Sequence, residues 1–419
     1  MHPVWPYPTR SNKPMTAKTL PPGLHRDTLA LRTSIEPSQY GENSETMYLT
    51  SSFIQPDAAT AARRFAQEED GYMYTRVGNP TVTSMELRLA ALEGTEAAIA
   101  TSSGMAAILL LGMGLLKAGD HVVCSQSVFG STIRLFSVEF AKFGIRTSFV
   151  AQSDVSAWVA AMGPDTKLLF AETPTNPLTD VCDIQALADV AHQAGAKLAV
   201  DNCFCSPALQ QPVRFGADYI IHSGTKYLDG QGRVVAGAIC CSQKDVDDIF
   251  LPITRTAGMV LSPFNAWVVL KGMETLAVRM HAQCANALAL ATWLQHQPQV
   301  ARVHYPGLAS HPQHALAMRQ QSGSGGPVLA FEVKSQDPTA ARARAFHVID
   351  CTKVCSITTN LGDTKTTICH PASTSHARIT EPQRQAAGVV QGLVRVAVGL
   401  EHLDDLKTDL LRGLNSLAA

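Results

Sequence analysis

The chain has 419 residues, of which 46% are hydrophobic and 16% are charged, so it can fill two or three packed domains and is not a disordered protein. Its 34 basic and 35 acidic residues leave a formal net charge of -1, which favours neither a nucleic acid nor a membrane surface as a partner. The longest apolar run, 105–116, is shorter than the ~20 residues that a membrane helix needs, and it predicts a buried helix.

The first 60 residues are expected to form an N-terminal arm. Six prolines fall within residues 1–23, which are predicted to be disordered. No apolar stretch follows Arg10 and Lys13, so no secretory signal is visible, and Met15 is an alternative start to Met1. The ten cysteines include no CxxC pair, which indicates reduced thiols and a cytoplasmic location and gives no sign of a metal site.

From about residue 80, helical patterns alternate with short apolar runs. The predicted helices are 82–93, 104–116, 131–143 and 183–194. The predicted strands are 121–124, 167–171, 197–200, 219–221 and 234–240. Short apolar strands that alternate with helices are typical of a doubly wound, mostly parallel sheet. This α/β domain is expected to span residues 61–258.

The pattern changes after residue 258, where a second and smaller α/β domain is expected to occupy residues 259–419. A long helix over 264–297 is predicted to bridge into it. Further helices are predicted near 339–348 and 403–417, with strands near 328–333 and 394–398. The Gly- and Ser-rich segment 322–326 indicates a loop tip.

Polar side chains follow three of the predicted strands. Asp201 ends one strand, Glu172 ends another and is followed by Asn176, and His222-Ser-Gly-Thr-Lys226 ends a third. Parallel sheets bind ligands outside the carboxyl ends of their strands, so these groups are expected to share one site.

A turn of small residues at 101–107, Thr-Ser-Ser-Gly-Met-Ala-Ala, leads into an apolar helix. Free N–H groups and the helix dipole make such a turn a cradle for phosphate. Combined with Lys226 and Asp201, it suits pyridoxal 5'-phosphate. A lysine amine forms a Schiff base with the aldehyde, and a carboxylate keeps the ring nitrogen protonated so that the ring withdraws electrons.

Several motifs together now carry a family resemblance. They are Tyr74-Thr-Arg76, Gly78-Asn-Pro-Thr81, Ser103-Gly-Met-Ala106, Val200-Asp-Asn202, His222-Ser-Gly-Thr-Lys-Tyr227 and Arg395-Val-Ala-Val-Gly-Leu-Glu401. From about Leu31 to its end, the chain resembles the transsulfuration (Cys/Met metabolism) pyridoxal-phosphate enzymes of fold type I. Each motif alone is weak evidence for this resemblance, but the motifs together are specific for the family.

The resemblance implies a role for each matching residue. Lys226 would be the catalytic Schiff-base lysine and Asp201 the partner of the ring nitrogen. Phe129 would stack on the ring, and Asn176 would lie near its O3' atom. The phosphate would be bound by Gly104, Met105, Ser223 and Thr225, and by Tyr74 and Arg76 of a neighbouring subunit. Arg395, with Asn360 nearby, would bind the substrate carboxylate.

The strand pattern independently supports a carboxylate-binding role for Arg395. Val394, Val396 and Val398 alternate and share one face of a predicted strand, so Arg395 points to the other. A guanidinium placed there favours a planar carboxylate partner.

Three positions and one segment depart from the usual pattern of the family. Phe129 replaces a tyrosine, Ser131 replaces the cysteine of the methionine-degrading lyases, and Asn360 replaces a serine, while residues 230–233 read Gly-Gln-Gly-Arg. Together they are most similar to the members that make homocysteine from O-succinylhomoserine and sulfide. The expected function is therefore this γ-replacement in methionine biosynthesis, by a homo-oligomer with shared active sites, as a dimer or a dimer of dimers.

Other interpretations stay open at this stage. A cystathionine γ-synthase or a methionine γ-lyase would use the same scaffold, and a non-catalytic pyridoxal-phosphate-binding protein is a candidate from another class. The acyl group of the donor is also undecided. His304, His311 and His314 lie close in sequence, but Pro306 and Pro312 interrupt any helix that would align them, so a polar loop is expected there.

Overall fold

The computed structural model describes residues 20–35, 37–377, 384 and 387–417. The predicted disorder over residues 1–23 and the question of the start residue lie almost wholly outside these ranges. Twelve strands are present in the described part of the chain. They are β1 (Ala97–Thr101), β2 (His121–Ser125), β3 (Arg146–Val150), β4 (Thr166–Glu172), β5 (Lys197–Asp201), β6 (Tyr219–Ser223), β7 (Gly237–Cys241), β8 (Val300–His304), β9 (Val328–Val333), β10 (Ser356–Ile357), β11 (Thr367–Cys369) and β12 (Leu393–Ala397).

The α-helices of the same residues are mostly short. They are α1 (Arg26–Arg32), α2 (Ala58–Phe65), α3 (Pro80–Glu93), α4 (Gly104–Leu115), α5 (Gly130–Arg134), α6 (Val155–Ala161), α7 (Ile184–Gln193), α8 (Ser206–Leu209), α9 (Gln243–Asp245), α10 (Leu251–Ala257), α11 (Pro263–Met273), α12 (Leu276–Gln295), α13 (His314–Gln320), α14 (Pro338–Asp350) and α15 (Leu403–Leu414).

The first sheet has seven strands in the order β1-β7-β6-β5-β4-β2-β3. The strands from β3 to β6 pair in parallel, whereas β7 runs antiparallel to both β1 and β6. The central strands are buried on both faces, which explains their continuous apolar runs. The prediction of a mostly parallel, doubly wound sheet is confirmed.

The second sheet lies later in the chain, with the order β10-β11-β12-β9-β8. Helix α12 packs its Ala287, Leu290 and Leu294 into the core beneath it. The two sheets fall on either side of the boundary expected near residue 258, and the predicted smaller α/β unit is present.

The local sequence explains where the helices next to the site begin and end. Asn79 caps α3 by accepting a hydrogen bond from the N–H of Thr81, Pro80 opens the helix, and Gly94 ends it with a φ of 79°. Ser103 caps α4 by accepting the N–H of Ala106. Each cap follows the pattern expected from its residue type.

Two strands of the first sheet were not predicted. Strand β1 reads Ala-Ala-Ile-Ala-Thr, and alanine favours helices, so its strand conformation depends on pairing with β7. Strand β3 starts with the exposed Arg146 and lies at the sheet edge, where a continuous apolar run is not needed. The predicted strand 234–240 is shorter in the structure and begins at Gly237.

Two predicted helices are divided in the structure. The helix predicted over 131–143 is α5 followed by a π turn, Leu135–Glu139, and a 3₁₀ turn, Phe140–Phe143. Phe136 and Phe140 are buried, so packing in the core accompanies the change of winding. The predicted helix 264–297 is interrupted at 274–275, between α11 and α12.

The predictions for cysteine and histidine have mixed outcomes. All ten cysteines lie in the described part of the chain and are free, and eight of them are buried. His304 lies on β8, where it pairs with Glu332 at 2.7 Å, and His314 begins α13, so the predicted polar loop is wrong for both. Within the described ranges no helix has the length and apolar character needed to cross a membrane.

Candidate active site

A cavity of about 820 Å³ opens at the carboxyl ends of β4, β5 and β6. The start of α4, helix α5 and residues 359–361 of the second unit complete its walls. Nine of the predicted site residues line it. They are Gly104, Met105, Phe129, Asn176, Asp201, Ser223, Thr225, Lys226 and Asn360.

Lys226 follows β6 by three residues, and its side chain enters the cavity. Its Nζ donates a hydrogen bond to Oδ1 of Asn360 at 2.6 Å. Burial lowers the pKa of Lys226, and the positive charge of Arg395 acts in the same direction, while Cys203 and Asp201 oppose it. The amine therefore loses its proton more readily than an ordinary lysine, as a nucleophile and base requires.

Asp201 and Glu172 are direct neighbours at the ends of β5 and β4, where the two residues pair in register. Both are buried and both line the cavity. Burial raises the pKa of Asp201, whose oxygen also accepts the N–H of Cys203 at 3.0 Å. A cation beside Asp201, such as a protonated ring nitrogen, would offset this cost of burial.

The predicted phosphate cradle lies against the end of β6. The first N–H groups of α4, including those of Gly104 and Met105, have no acceptor within the helix. A Cβ atom built on Gly104 would lie 2.9 Å from the Cβ of Ser223, so only glycine allows the turn to approach β6 this closely. Ser223 and Thr225 therefore share a wall with the cradle.

Phe129 and Asn176 occupy other walls of the cavity. Phe129 precedes α5 and is 36% exposed, so its ring faces the open space. Asn176 is buried, and its Oδ1 accepts a hydrogen bond from Nη1 of Arg395 at 3.1 Å.

Arg395 lies on β12, directly behind this wall, and is 1% exposed. Its Nη2 donates to the carbonyl oxygens of Thr359 and Asn360 at 2.9 and 3.2 Å, whereas its buried Nε has no partner in the structure. No carboxylate of the described residues pairs with Arg395, so a carboxylate ligand would complete its coordination.

Asn360, which is predicted to bind the substrate together with Arg395, contacts two other residues of the predicted site. Its side chain contacts Lys226 and its carbonyl oxygen contacts Arg395, so it joins these two residues. The segment 230–233 does not line the cavity. Arg233 instead pairs with Asp229 at 2.7 Å.

Tyr74 and Arg76 are not brought to the cavity of their own chain. The guanidinium of Arg76 lies 5.6 Å from the ring centroid of Tyr74 and donates to the carbonyl oxygen of Arg255. Arg76 faces a separate cavity of about 1050 Å³. A contribution to a neighbouring subunit stays a prediction.

The structure adds two residues that sequence reasoning missed. Glu172 was noted at a strand end but received no role. Arg134 lies on α5 and lines the mouth of the cavity, with 66% of its side chain exposed. Its position five residues after Phe129, at the end of the helix that Phe129 precedes, was the available signal.

The residues present fit pyridoxal 5'-phosphate. An amine with a lowered pKa, a carboxylate at the end of a neighbouring strand, a glycine-only cradle and an exposed aromatic ring surround one cavity. Fold and site together define a pyridoxal-phosphate-dependent enzyme of fold type I.

Comparison with known proteins agrees. Residues 27–415 match the model of the Cys/Met metabolism PLP-dependent enzymes, and the chain belongs to this family. It is 55% identical to an O-succinylhomoserine sulfhydrylase of Pseudomonas aeruginosa, over 94% of this chain and 96% of the relative. It is 40% identical to an L-methionine gamma-lyase of Fusobacterium nucleatum, over 93% and 98% of the two chains.

A solved structure gives the same result. A Campylobacter jejuni protein of the O-acetylhomoserine (thiol)-lyase type superposes with a TM-score of 0.89 at 31% identity, covering 94% of this chain and all of that one. That protein carries a pyridoxyl phosphate group on a lysine. The predictions of family, fold type and cofactor are confirmed.

Proposed function

We propose that the chain catalyses a γ-replacement in which sulfide displaces succinate from Cγ of O-succinylhomoserine, which gives homocysteine and succinate in methionine biosynthesis. The 55% identity to an O-succinylhomoserine sulfhydrylase carries this proposal, because it exceeds the 40% identity to a methionine gamma-lyase over a similar share of the chain. Phe129, Ser131 and Asn360, which depart from the lyase pattern, all line the cavity.

Pyridoxal phosphate supplies an aldehyde that condenses with an amine and a ring that withdraws electrons from the adjacent carbon atoms. Lys226 supplies the proton transfers. Once its amine is free, it removes the proton from Cα of the substrate and then acts at Cβ, so that the bond to the leaving succinate at Cγ can break. Its lowered pKa makes the neutral base available nearer to neutral pH.

Arg395 orients the substrate. Its unpartnered Nε and its Nη groups bind the α-carboxylate, and its contact with Asn176 ties this clamp to the wall of the cofactor cavity. Phe129 has no hydroxyl group, so it takes no part in proton transfer and Lys226 carries more of that work than in relatives with a tyrosine at this position.

Sulfide suits this cavity as the nucleophile. Cysteine as a nucleophile brings a second carboxylate and a second ammonium group, which need partners of their own. The cationic side chains that line the cavity in the described residues are Arg134 and Lys226, and Lys226 has a catalytic role. Sulfide needs no such partner.

Arg134 supports succinate, rather than acetate, as the leaving group. Its guanidinium lies at the cavity mouth and has one exposed carboxylate neighbour, Glu139, at 3.3 Å. A succinyl ester ends in a carboxylate, which a guanidinium binds, whereas an acetyl ester does not.

A competition assay tests the proposal. Purified enzyme receives O-succinylhomoserine with equal concentrations of sulfide and cysteine, and homocysteine and cystathionine are both quantified. Homocysteine should predominate. Predominant cystathionine would favour the synthase. In a separate reaction with methionine and no sulfide, release of 2-oxobutanoate would favour the lyase.

The active sites are shared between two subunits of a dimer, which pairs further into a tetramer, in the cytoplasm. The position of Tyr74 and Arg76 outside the cavity of their own chain supports the shared site. Exposed apolar side chains on the same N-terminal segment, such as Leu49, Ile54 and Phe65, support a contact with another subunit.

A further inference from the structure

Glu172 makes contacts that the proposed mechanism does not use. It ends β4, it is 5% exposed, and it lines the cofactor cavity beside Asp201. Its Oε2 accepts a hydrogen bond from the backbone N–H of Phe129 at 2.8 Å, and an interaction with the backbone N–H of Asn176 lowers the pKa of the same carboxyl group. One side chain thus contacts both loops that carry the ring-facing residues.

Phe129 needs such a contact because its ring has no polar group. In the structure its carbonyl oxygen accepts the N–H groups of Thr132 and Ile133 at 2.8 and 3.1 Å, which fixes one side of the peptide. The N–H on the other side has Glu172 as its partner. The direction of the ring therefore depends on a backbone that Glu172 holds.

A purely electrostatic role for Glu172 is less well supported. Burial, together with the nearby charge of Asp201, raises the pKa of Glu172 well above its ordinary value. A carboxyl group in this environment resists ionisation, but it accepts N–H hydrogen bonds in either protonation state.

We propose that Glu172 is a positioning residue, which holds the Phe129 ring and the Asn176 side chain in place around the cofactor through their backbone N–H groups. The proposal depends on the binding of pyridoxal phosphate but not on the choice of acyl donor or nucleophile. It can therefore fail or succeed independently of the competition assay.

Two substitutions separate positioning from charge. Glu172→Asp keeps an ionisable carboxyl group but withdraws it by one methylene group, whereas Glu172→Gln removes the ionisable group and keeps the length and one acceptor oxygen. The measurements are the Kd of pyridoxal phosphate for the full-length apoprotein and the visible circular dichroism of the bound cofactor, which reports how the ring is held. Asp165→Asn, at the exposed carboxylate that directly precedes the same strand, is the control.

Positioning predicts that Glu172→Asp raises the Kd by about fivefold or more, the equivalent of one lost hydrogen bond, and weakens the dichroism. Glu172→Gln should raise the Kd by less than Glu172→Asp does. In a Phe129→Ala/Asn176→Ala background, Glu172→Asp should change the Kd by less than about twofold, because the two side chains that Glu172 positions are gone although their backbone N–H groups remain.

Opposite results overturn the proposal. One is a larger rise in the Kd of the cofactor for Glu172→Gln than for Glu172→Asp. Another is an unchanged Kd for Glu172→Asp, and a third is that Glu172→Asp raises the Kd equally in the Phe129→Ala/Asn176→Ala background. If thermal unfolding shows that Glu172→Asp does not fold, Glu172→Gln decides alone. A change in Kd that disappears in the double background supports positioning, and one that persists there refutes it.

Discussion

Lys226 and Asn360 are joined by a hydrogen bond of 2.6 Å although 134 residues separate them. Asn360 lies in the loop between β10 and β11, so the second unit of the fold reaches the lysine that follows β6 of the first. The same loop presses its backbone against Lys226, because a Cβ atom built on Gly362 would lie 2.7 Å from the Lys226 carbonyl carbon. The position of the lysine thus depends on both units.

Gly362→Ala should therefore weaken cofactor binding by about tenfold or more, since the added methyl group displaces the Lys226 backbone. Gly195→Ala is the matched control, because Gly195 has a similar φ of 71° against 86° and open space around it. It should lose only the ~1 kcal/mol of stability that a left-handed alanine costs, with the Kd unchanged. Cofactor titration and thermal unfolding check both variants. Equal Kd values for Gly362→Ala and Gly195→Ala would contradict the expected effect of the Gly362 contact.

The capture of pyridoxal phosphate by the apoprotein should depend on pH through Lys226. Only the neutral amine attacks the aldehyde, so capture accelerates as pH rises through the pKa of Lys226. Burial lowers that pKa, and the charge of Arg395 lowers it further. Arg395→Leu removes the cation, raises the pKa and should shift the rate profile to higher pH.

Arg395→Lys keeps the charge and is the control for this shift. Its profile should stay near that of the wild type when capture is followed by the visible absorbance of the bound cofactor. Identical profiles for Arg395→Leu and the wild type would show that Arg395 does not influence the amine.

The sequence predicted the groups whose positions follow from local patterns. Asp201 and Lys226 follow short apolar strands, and Gly104 begins a capped helix, so the parallel sheet alone brings them together. The bond from Glu172 to Phe129 depends on the turn after β2, and the contact between Asn360 and Lys226 depends on packing between two units. Neither contact leaves a periodic signal. Strand β1 was missed because its alanines become a strand only through pairing with β7.

Arg395→Lys should also lower kcat/KM by roughly 10- to 100-fold, equivalent to ~1.5–3 kcal/mol for a charged hydrogen-bonded pair. Lysine retains the charge but loses the two-pronged geometry that matches a carboxylate. Steady-state kinetics with O-succinylhomoserine give the loss, while the Kd of the cofactor should not change. Full efficiency in the variant would remove Arg395 from the substrate site.

Subunit exchange tests the shared active site. A mixture of Arg76→Ala and Lys226→Ala subunits, each inactive alone, should form hybrid dimers with one intact site each. Random exchange makes about half of the dimers hybrid and restores about a quarter of the wild-type sites. Exchange is verified with differently tagged chains, and verified exchange without activity would place Arg76 and Lys226 in sites built within one chain.

Arg134 should decide between acyl donors. Because most of its side chain is exposed, its contact with the succinyl carboxylate is worth ~1 kcal/mol, and Arg134→Ala should raise KM for O-succinylhomoserine about fivefold. O-acetylhomoserine, which lacks the second carboxylate, should react as with the wild type. Glu139 competes for the same guanidinium, so Glu139→Gln should act in the opposite direction and lower KM for the succinyl donor. Parallel kinetics with both donors distinguish the outcomes. An equal change in KM for the two donors in Arg134→Ala would show that Arg134 does not distinguish between the acyl groups.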